Sequence, residues 1–275
     1  MAEAGFGAVE AARLLAVPSR DDDKYSRGVL GFVTGSDRYP GAAVLGVDAA
    51  LHTGVGMVRY LGPKATRRLV LQRRPEVVTV AGRVQAWVLG SGQDAEHRAN
   101  GERHLLEATL LKPVPTVLDS GALDLHELAA GPTVLTPHAG ELARLLQITP
   151  AEVTAEPERR VRQAAVATGC VVLLKGHTTR IAAPDGRLLA VAEAPTWLAT
   201  AGAGDALAGI LGALLATRPV DVTSLPELAA AAAVIHGRAA ARASTLNGGG
   251  PFTILELNAA IAPVVGALIT GRSSR

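Results

Sequence analysis

Short β-branched or Leu-rich runs alternate along this chain with long Ala-rich segments, and Gly or Pro marks nearly every boundary. That alternation constrains the fold more than any other feature. Strand, turn and helix repeated in this order build an α/β domain whose mostly parallel sheet is covered on both faces. Residues 29–34 read as a strand ending in Gly35-Ser36, and an Ala-rich helix over residues 41–54 follows. Residues 57–61, 76–80, 84–89, 116–118, 133–136 and 170–174 read as further strands. Residues 180–182 and 188–191, joined through Pro184-Asp185-Gly186, read as a hairpin. From Gly204 onward the pattern is almost wholly helical. No internal repeat or long linker divides the sequence, so a single domain over residues 1–275 is expected. Residues 1–23 read as a peripheral amino-terminal segment with a short helical stretch at 10–15.

Composition narrows the function. Lys and Arg number 27 against 25 Asp and Glu, a net charge of +2. Such a balance carries no electrostatic footprint for nucleic acid or an anionic membrane. Two Trp, three Tyr and three Phe in 275 residues also give no platform for stacking bases. The one cysteine, Cys170, excludes an internal disulfide and reads as a small buried hydrophobe. The apolar run at residues 206–216 is too short to span a bilayer, and no basic region leads into an apolar stretch at the amino terminus. A cytoplasmic protein, with neither nucleic-acid nor membrane partner, is the expectation.

In an open parallel sheet, ligands bind outside the carboxyl ends of the strands. Gly35-Ser36, Gly90-Ser91-Gly92, Asp119-Ser120, His138 with Glu141, and Lys175-Gly176 all follow expected strands and would converge on one rim. The most informative segment lies beyond them. Thr200-Ala201-Gly202-Ala203-Gly204-Asp205 leads small residues and glycines straight into an apolar helix. Backbone N–H groups in such a loop can approach an anion closely, and the helix N-terminus favours negative charge. Asp205 at the helix start is either an ordinary cap or a base that takes the proton of a hydroxyl attacking a phosphoryl group. No Gly-Lys-Ser/Thr phosphate loop and no Gly-x-Gly-x-x-Gly turn after the first strand occur. No His, Asp or Glu grouping has metal-site spacing, so any Mg²⁺ would be held largely by phosphates and water.

Thr200–Asp205 resembles the anion-hole and catalytic-aspartate motif of the ribokinase-like superfamily. More closely, the chain resembles the ADP-dependent NAD(P)H-hydrate dehydratases. The matching segments are Gly35-Ser36 with Pro40-Gly41-Ala42-Ala43, Val117 through Leu123, Leu135 through Glu141, Val172 through Thr179, Leu198 through Gly209, and Ala231 through Gly237. They run in family order from about residue 24 to the C-terminus. The resemblance implies a ribokinase-like three-layer α/β/α fold. It also implies a reaction in which ADP, with Mg²⁺, phosphorylates the C6 hydroxyl of hydrated NADH or NADPH; loss of phosphate then restores the dihydropyridine.

Carried onto this chain, the resemblance makes Asp205 the base and Gly202, Ala203 and Gly204 the anion-hole donors. Ala42, Gly92, His138 and Asp205 would hold the hydrated nucleotide. Lys175, Gly176, His177, Thr178, Thr179 and Gly204 would line the ADP site, and no residue is implied as a metal ligand. The pattern departs from the family at Ala139, Ala194 and Ala203. At Ala203 a Thr is usual, which leaves only the backbone N–H. A homo-oligomer, commonly a tetramer, and a hydrate epimerase partner are implied too. The competing readings are an ATP-dependent small-molecule kinase of the same superfamily and a nucleotide-binding sensor without turnover. His236 reads as a packed helix residue, Arg73-Arg74 and Arg159-Arg160 as solvated faces, Trp87 as core, and Trp197 as core or a wall of the site.

Overall fold

A computed structural model describes residues 4–218 and 221–273, so residues 1–3 of the amino-terminal segment lie outside it. Among the described residues, nine strands form one sheet: β1 (Ala4–Gly5), β2 (Val29–Val33), β3 (Met57–Tyr60), β4 (Ala86–Leu89), β5 (Thr116–Leu118), β6 (Thr133–Leu135), β7 (Val171–Leu174), β8 (Thr179–Ala182) and β9 (Leu188–Val191). Their spatial order is β1-β9-β8-β7-β6-β5-β4-β2-β3. Only β8 runs against the others, because it pairs antiparallel with both β7 and β9. The Pro184-Asp185-Gly186 turn therefore closes a hairpin as expected. The expected strand at 76–80 is reduced to a single bridge between Val78 and Arg59, with no run of residues paired.

Strand side chains alternate between two cores, as a pleated strand requires. Leu30 and Phe32 face one core, while Val29 and Val33 face the other. In β7, Val171 and Leu173 oppose Val172 and Leu174 in the same way. The first core is closed by α1 (Ala8–Arg13), α2 (Gly41–Thr53), α3 (Lys64–Arg73), α8 (Ala203–Ala216), α9 (Leu225–Leu246) and α10 (Ile254–Ser273). The second is closed by α4 (Asn100–Leu110), α5 (Ala139–Leu146), α6 (Pro150–Ala155) and α7 (Pro157–Thr168), with the 3-10 turn Ser120–Leu128. The result is the expected three-layer, mostly parallel α/β/α architecture.

The amino-terminal segment is less peripheral than its polar composition implied. Phe6, Ala11, Ala12 and Leu15 are buried in the first core, and β1 extends the sheet beside β9. One further expectation needs correction. Arg73 and Arg74 do not form a purely solvated face: their Nε atoms lie 3.0 and 2.7 Å from Asp48 Oδ1, a fully buried carboxylate on α2. Asn258 of α10 donates to the other Asp48 oxygen at 2.9 Å. Residues 254–271 of α10, with a mean hydropathy of 1.7, are long and apolar enough to cross a membrane. One face of that helix, with Leu257, Asn258 and Ile261 fully buried, packs on the core, and 39% of the stretch is buried.

The helix that matters most is α8, buried all round from Ala206 to Ala216, as a helix hydrophobic on every face must be. It crosses α2 where two glycines meet. A methyl group on Gly209 would lie 2.1 Å from the Gly46 carbonyl oxygen. Gly209→Ala is therefore expected to push the helices apart and cost about 1–3 kcal/mol, read as a lower thermal unfolding midpoint. Gly266→Ala on α10, where a methyl would meet nothing within 4 Å, should leave that midpoint level or raise it. Equal losses from both would show that the α2–α8 contact is not the cause.

Candidate active site

Five parallel strands end on one rim, and the turns that leave them are stitched together by backbone hydrogen bonds. Gly35 N donates to Ser91 O at 2.7 Å, Asp119 N to Leu89 O at 3.0 Å, and Lys175 N to Pro137 O at 2.9 Å. The N-terminus of α8 comes up beside this rim. Gly202 caps it at φ 90°, in the left-handed region that glycine adopts without strain, and a methyl there would lie 2.5 Å from Leu45 Cδ1. Among the described residues, the amides of Gly204 and Asp205 have no backbone acceptor, whereas Ala203 N–H makes a long bond of 3.4 Å to Thr200 O. Of the three expected anion-hole donors, Ala203 is thus partly engaged, while Gly202, which also sets the turn, and Gly204 have amides without a backbone acceptor among the described residues; the amide of Asp205 is a further open donor.

A polar network lies against this helix start. Asp119, 3% exposed, accepts Ser91 Oγ on Oδ2 at 2.9 Å and Thr136 Oγ1 on Oδ1 at 2.9 Å. Lys175 Nζ donates to the same Oδ1 at 2.7 Å and stands 3.7 Å from Glu141 Oε2. Burial alone would push the ammonium pKa down, but Asp119 and Glu141 outweigh it and hold Lys175 above the ordinary lysine value. Asp205 is pushed up to about 7, first by burial and then by the charge of Asp119, with Lys175 opposing. A carboxylic acid that titrates near neutrality beside open amides is suited to proton transfer.

Two cavities meet here. One of about 770 Å³ is lined by Lys175, Gly176, His177, Thr179, Ala203 and Gly204. The other, of about 740 Å³, is lined by Ala42, Gly92, Gly202 and Asp205 among others. His138 and Ala201 line both. The ring of His138 caps α5: its Nδ1 accepts from Gly140 N at 3.0 Å and Glu141 N at 3.3 Å. A neutral ring then carries its proton on Nε2, which faces Glu141 Oε1 at 3.5 Å. Of the residues expected for the first cavity, Thr178 alone does not line it.

Trp197 forms no wall of either cavity. It is half exposed, and its Nε1 donates to Gly249 O at 3.1 Å. Trp87 is core and Cys170 is buried. His236 is 6% exposed and lines the first cavity; burial lowers its pKa to about 4, so the ring stays neutral. Sequence reasoning alone places Asp119 and Glu141 on the rim but assigns neither a role. Their signal was position alone, Asp119 directly after a strand and Glu141 three residues after His138.

The model of the NAD(P)H-hydrate dehydratase family matches residues 30–261. The bifunctional NAD(P)H-hydrate repair enzyme of Mycobacterium tuberculosis is 43% identical over 225 residues, covering 78% of this chain and 46% of that protein. The chain thus spans about half the length of the first curated relatives it matches. The ADP-dependent (S)-NAD(P)H-hydrate dehydratase of Neisseria meningitidis is 37% identical over 240 residues, covering 81% of this chain and 79% of that one. In fold, the ADP/ATP-dependent NAD(P)H-hydrate dehydratase of Bacillus subtilis, co-crystallised with ATP and Mg²⁺, superposes with a TM-score of 0.84 at 23% identity, covering 98% of this chain and 99% of that one. With its ribokinase-like fold and this match over most of its length, the chain belongs to the NAD(P)H-hydrate dehydratase family.

Proposed function

We propose that the protein repairs hydrated NADH or NADPH, using ADP as co-substrate. The observation that carries this reading is the meeting of two nucleotide-sized cavities at the start of α8, with Asp205 facing one and Gly204 and Lys175 facing the other. The first cavity takes the adenine nucleotide: Val191, Leu198, Leu207 and Ala233 offer apolar walls to a purine, and Lys175 with the α8 amides faces the phosphates. The second takes the hydrated nicotinamide nucleotide, with His138, Ala42 and Gly92 around it.

Asp205 removes the proton from the C6 hydroxyl, whose oxygen bonds the terminal phosphorus of ADP. The bond from that phosphorus to the bridging oxygen breaks, and AMP leaves with the electron pair. Gly204 and Asp205 N–H groups stabilise the charge on the group in flight. Phosphate then departs with the C6–O electron pair, and a proton lost from the adjacent ring carbon restores the double bond. Hydroxide is a poor leaving group and phosphate a good one, which is why a phosphoryl donor is needed.

Among the described residues, no three His, Cys, Asp or Glu side chains converge as metal ligands. These residues build no cage for Mg²⁺; the ion would arrive on the nucleotide, and no step above is routed through it. The Mycobacterium tuberculosis relative is bifunctional, and more than half of it lies outside the match. A hydrate epimerase is the partner that would supply the correct epimer. A homo-tetramer working in the cytoplasm, where reduced nicotinamide nucleotides turn over, fits the same reading.

The test is to incubate the protein with hydrated NADPH, Mg²⁺ and either ADP or ATP, following recovery of the dihydropyridine absorbance. Recovery with release of AMP and phosphate from ADP is expected. Nucleotide binding without recovery would overturn the reading and move the weight to a small-molecule kinase.

A further inference from the structure

Asp119 is the most heavily tied polar side chain at the rim, and the reaction steps above leave it unused. Its donors come from turns after three different strands: Ser91 after β4, Thr136 after β6 and Lys175 after β7. A buried carboxylate needs such donors simply to be tolerated. Here, however, one donor is a cation that reaches over the start of α8. A methyl placed on Gly204 would sit 3.3 Å from Lys175 Nζ, so the ammonium lies close beside the backbone at the start of α8. An ammonium has three protons. One goes to Asp119 at 2.7 Å, and Glu141 at 3.7 Å stands beyond hydrogen-bond reach. Without Asp119, a flexible four-carbon stem would let that charge follow solvent or the outgoing nucleotide.

We propose that Asp119 is a positioning residue: it anchors the Lys175 ammonium over the N-terminus of α8, so that the cation stays on the phosphoryl group as it passes between the two cavities. This rests on the dehydratase reading. AMP departs on one side and the substrate oxygen attacks on the other, so a cation held by the protein between them stabilises the group at every point of transfer. A cation held only by the nucleotide would drift away with AMP.

The anchor also acts on Asp205. Facing that carboxyl are Asp119 and Lys175 from the strand ends and, around the second cavity, His138 at the cap of α5, Glu141 and Arg144 of α5, and Arg38 ahead of α2. His236 of α9 is buried and neutral. As a base, Asp205 must be ionised, so wild-type kcat/KM should fall as pH drops below about 7. Asp119→Asn removes a negative charge that raises this value, which moves the acid limb to lower pH.

The experiment measures kcat, nucleotide KM and the pH profile of wild type and Asp119→Asn with hydrated NADPH and ADP. The expected result is a kcat lower by about 10²-fold, a nucleotide KM changed far less, and an acid limb shifted downward. Simple damage to the fold would lower activity without moving the limb in that direction. Ser91→Ala, which loosens Asp119 but keeps its charge, should lower kcat with the limb unmoved, and it carries the test if Asp119→Asn does not fold. Wild-type kcat in Ser91→Ala, or an unshifted limb in folded Asp119→Asn, would overturn the positioning role while an active wild type leaves the dehydratase reading standing. An inactive wild type overturns both.

Discussion

Asp205→Asn is expected to lower turnover by about 10²–10⁴-fold, the range that a positioned general base supplies, while adenine-nucleotide binding is retained. The carboxamide has the shape of the carboxyl and leaves the open amides of Gly204 and Asp205 in place, but it cannot take a proton. The same change should not cost stability. The folded protein raises the Asp205 pKa from 3.8 to about 7, which means that the fold prefers the protonated form. Between those values the folded state binds more protons than the unfolded chain, so stability falls as pH rises. This cost is absent below about pH 3.8 and fully present above about 7. Asn removes it, so at pH 8 the variant should unfold at the wild-type temperature or above. Isothermal titration with ADP, turnover and a thermal melt read the three effects separately. Turnover close to wild type would remove Asp205 from the base role, and a large loss of stability would mean that the carboxylate serves the fold.

The second large effect concerns Lys175→Met. Met matches the length and apolar character of the stem but leaves the 3%-exposed Asp119 with only two hydroxyl donors. Removing one partner of a buried pair strands the other charge, at a cost on the order of 3 kcal/mol, and activity should be lost with it. The double variant Lys175→Met/Asp119→Asn removes the stranded charge. It should recover most of the stability and none of the activity, a coupling that a double-mutant cycle isolates. Chemical denaturation of the four proteins reads the first part and the recovery assay the second. If the double variant stays as unstable as Lys175→Met, the pair is not what makes the single change costly.

Much of this was visible in the residues themselves, because the signals are local. A two-residue period within β-branched runs, Gly and Pro at the boundaries and a Pro-Asp-Gly turn specify strands and a hairpin without reference to the rest of the chain. The rule that ligands gather at strand carboxyl ends then placed Gly92, His138 and Lys175 on one rim, and Gly202 to Asp205 read as an anion-binding helix start. Local signals failed where pairing decided the outcome. Residues 76–80 have a strand's composition, yet only Val78 finds a partner. Arg73 and Arg74 look like a solvated face until α3 is laid beside Asp48 of α2.

The sequence by itself therefore determined the element types, the mostly parallel sheet and the helix start that can receive a phosphoryl group, since each depends on neighbours a few residues apart. Only the tertiary structure decided the wiring. Asp119 and Lys175 stand 56 residues apart and meet because β6 alone lies between their strands. Asp48 and Asn258 are 210 apart and meet because α10 folds back on α2. β1 joins the sheet at its far edge, beside a strand that comes more than 180 residues later. An ion pair between elements requires the order in which those elements pack, and that order is set by the burial of two whole cores rather than by any local pattern.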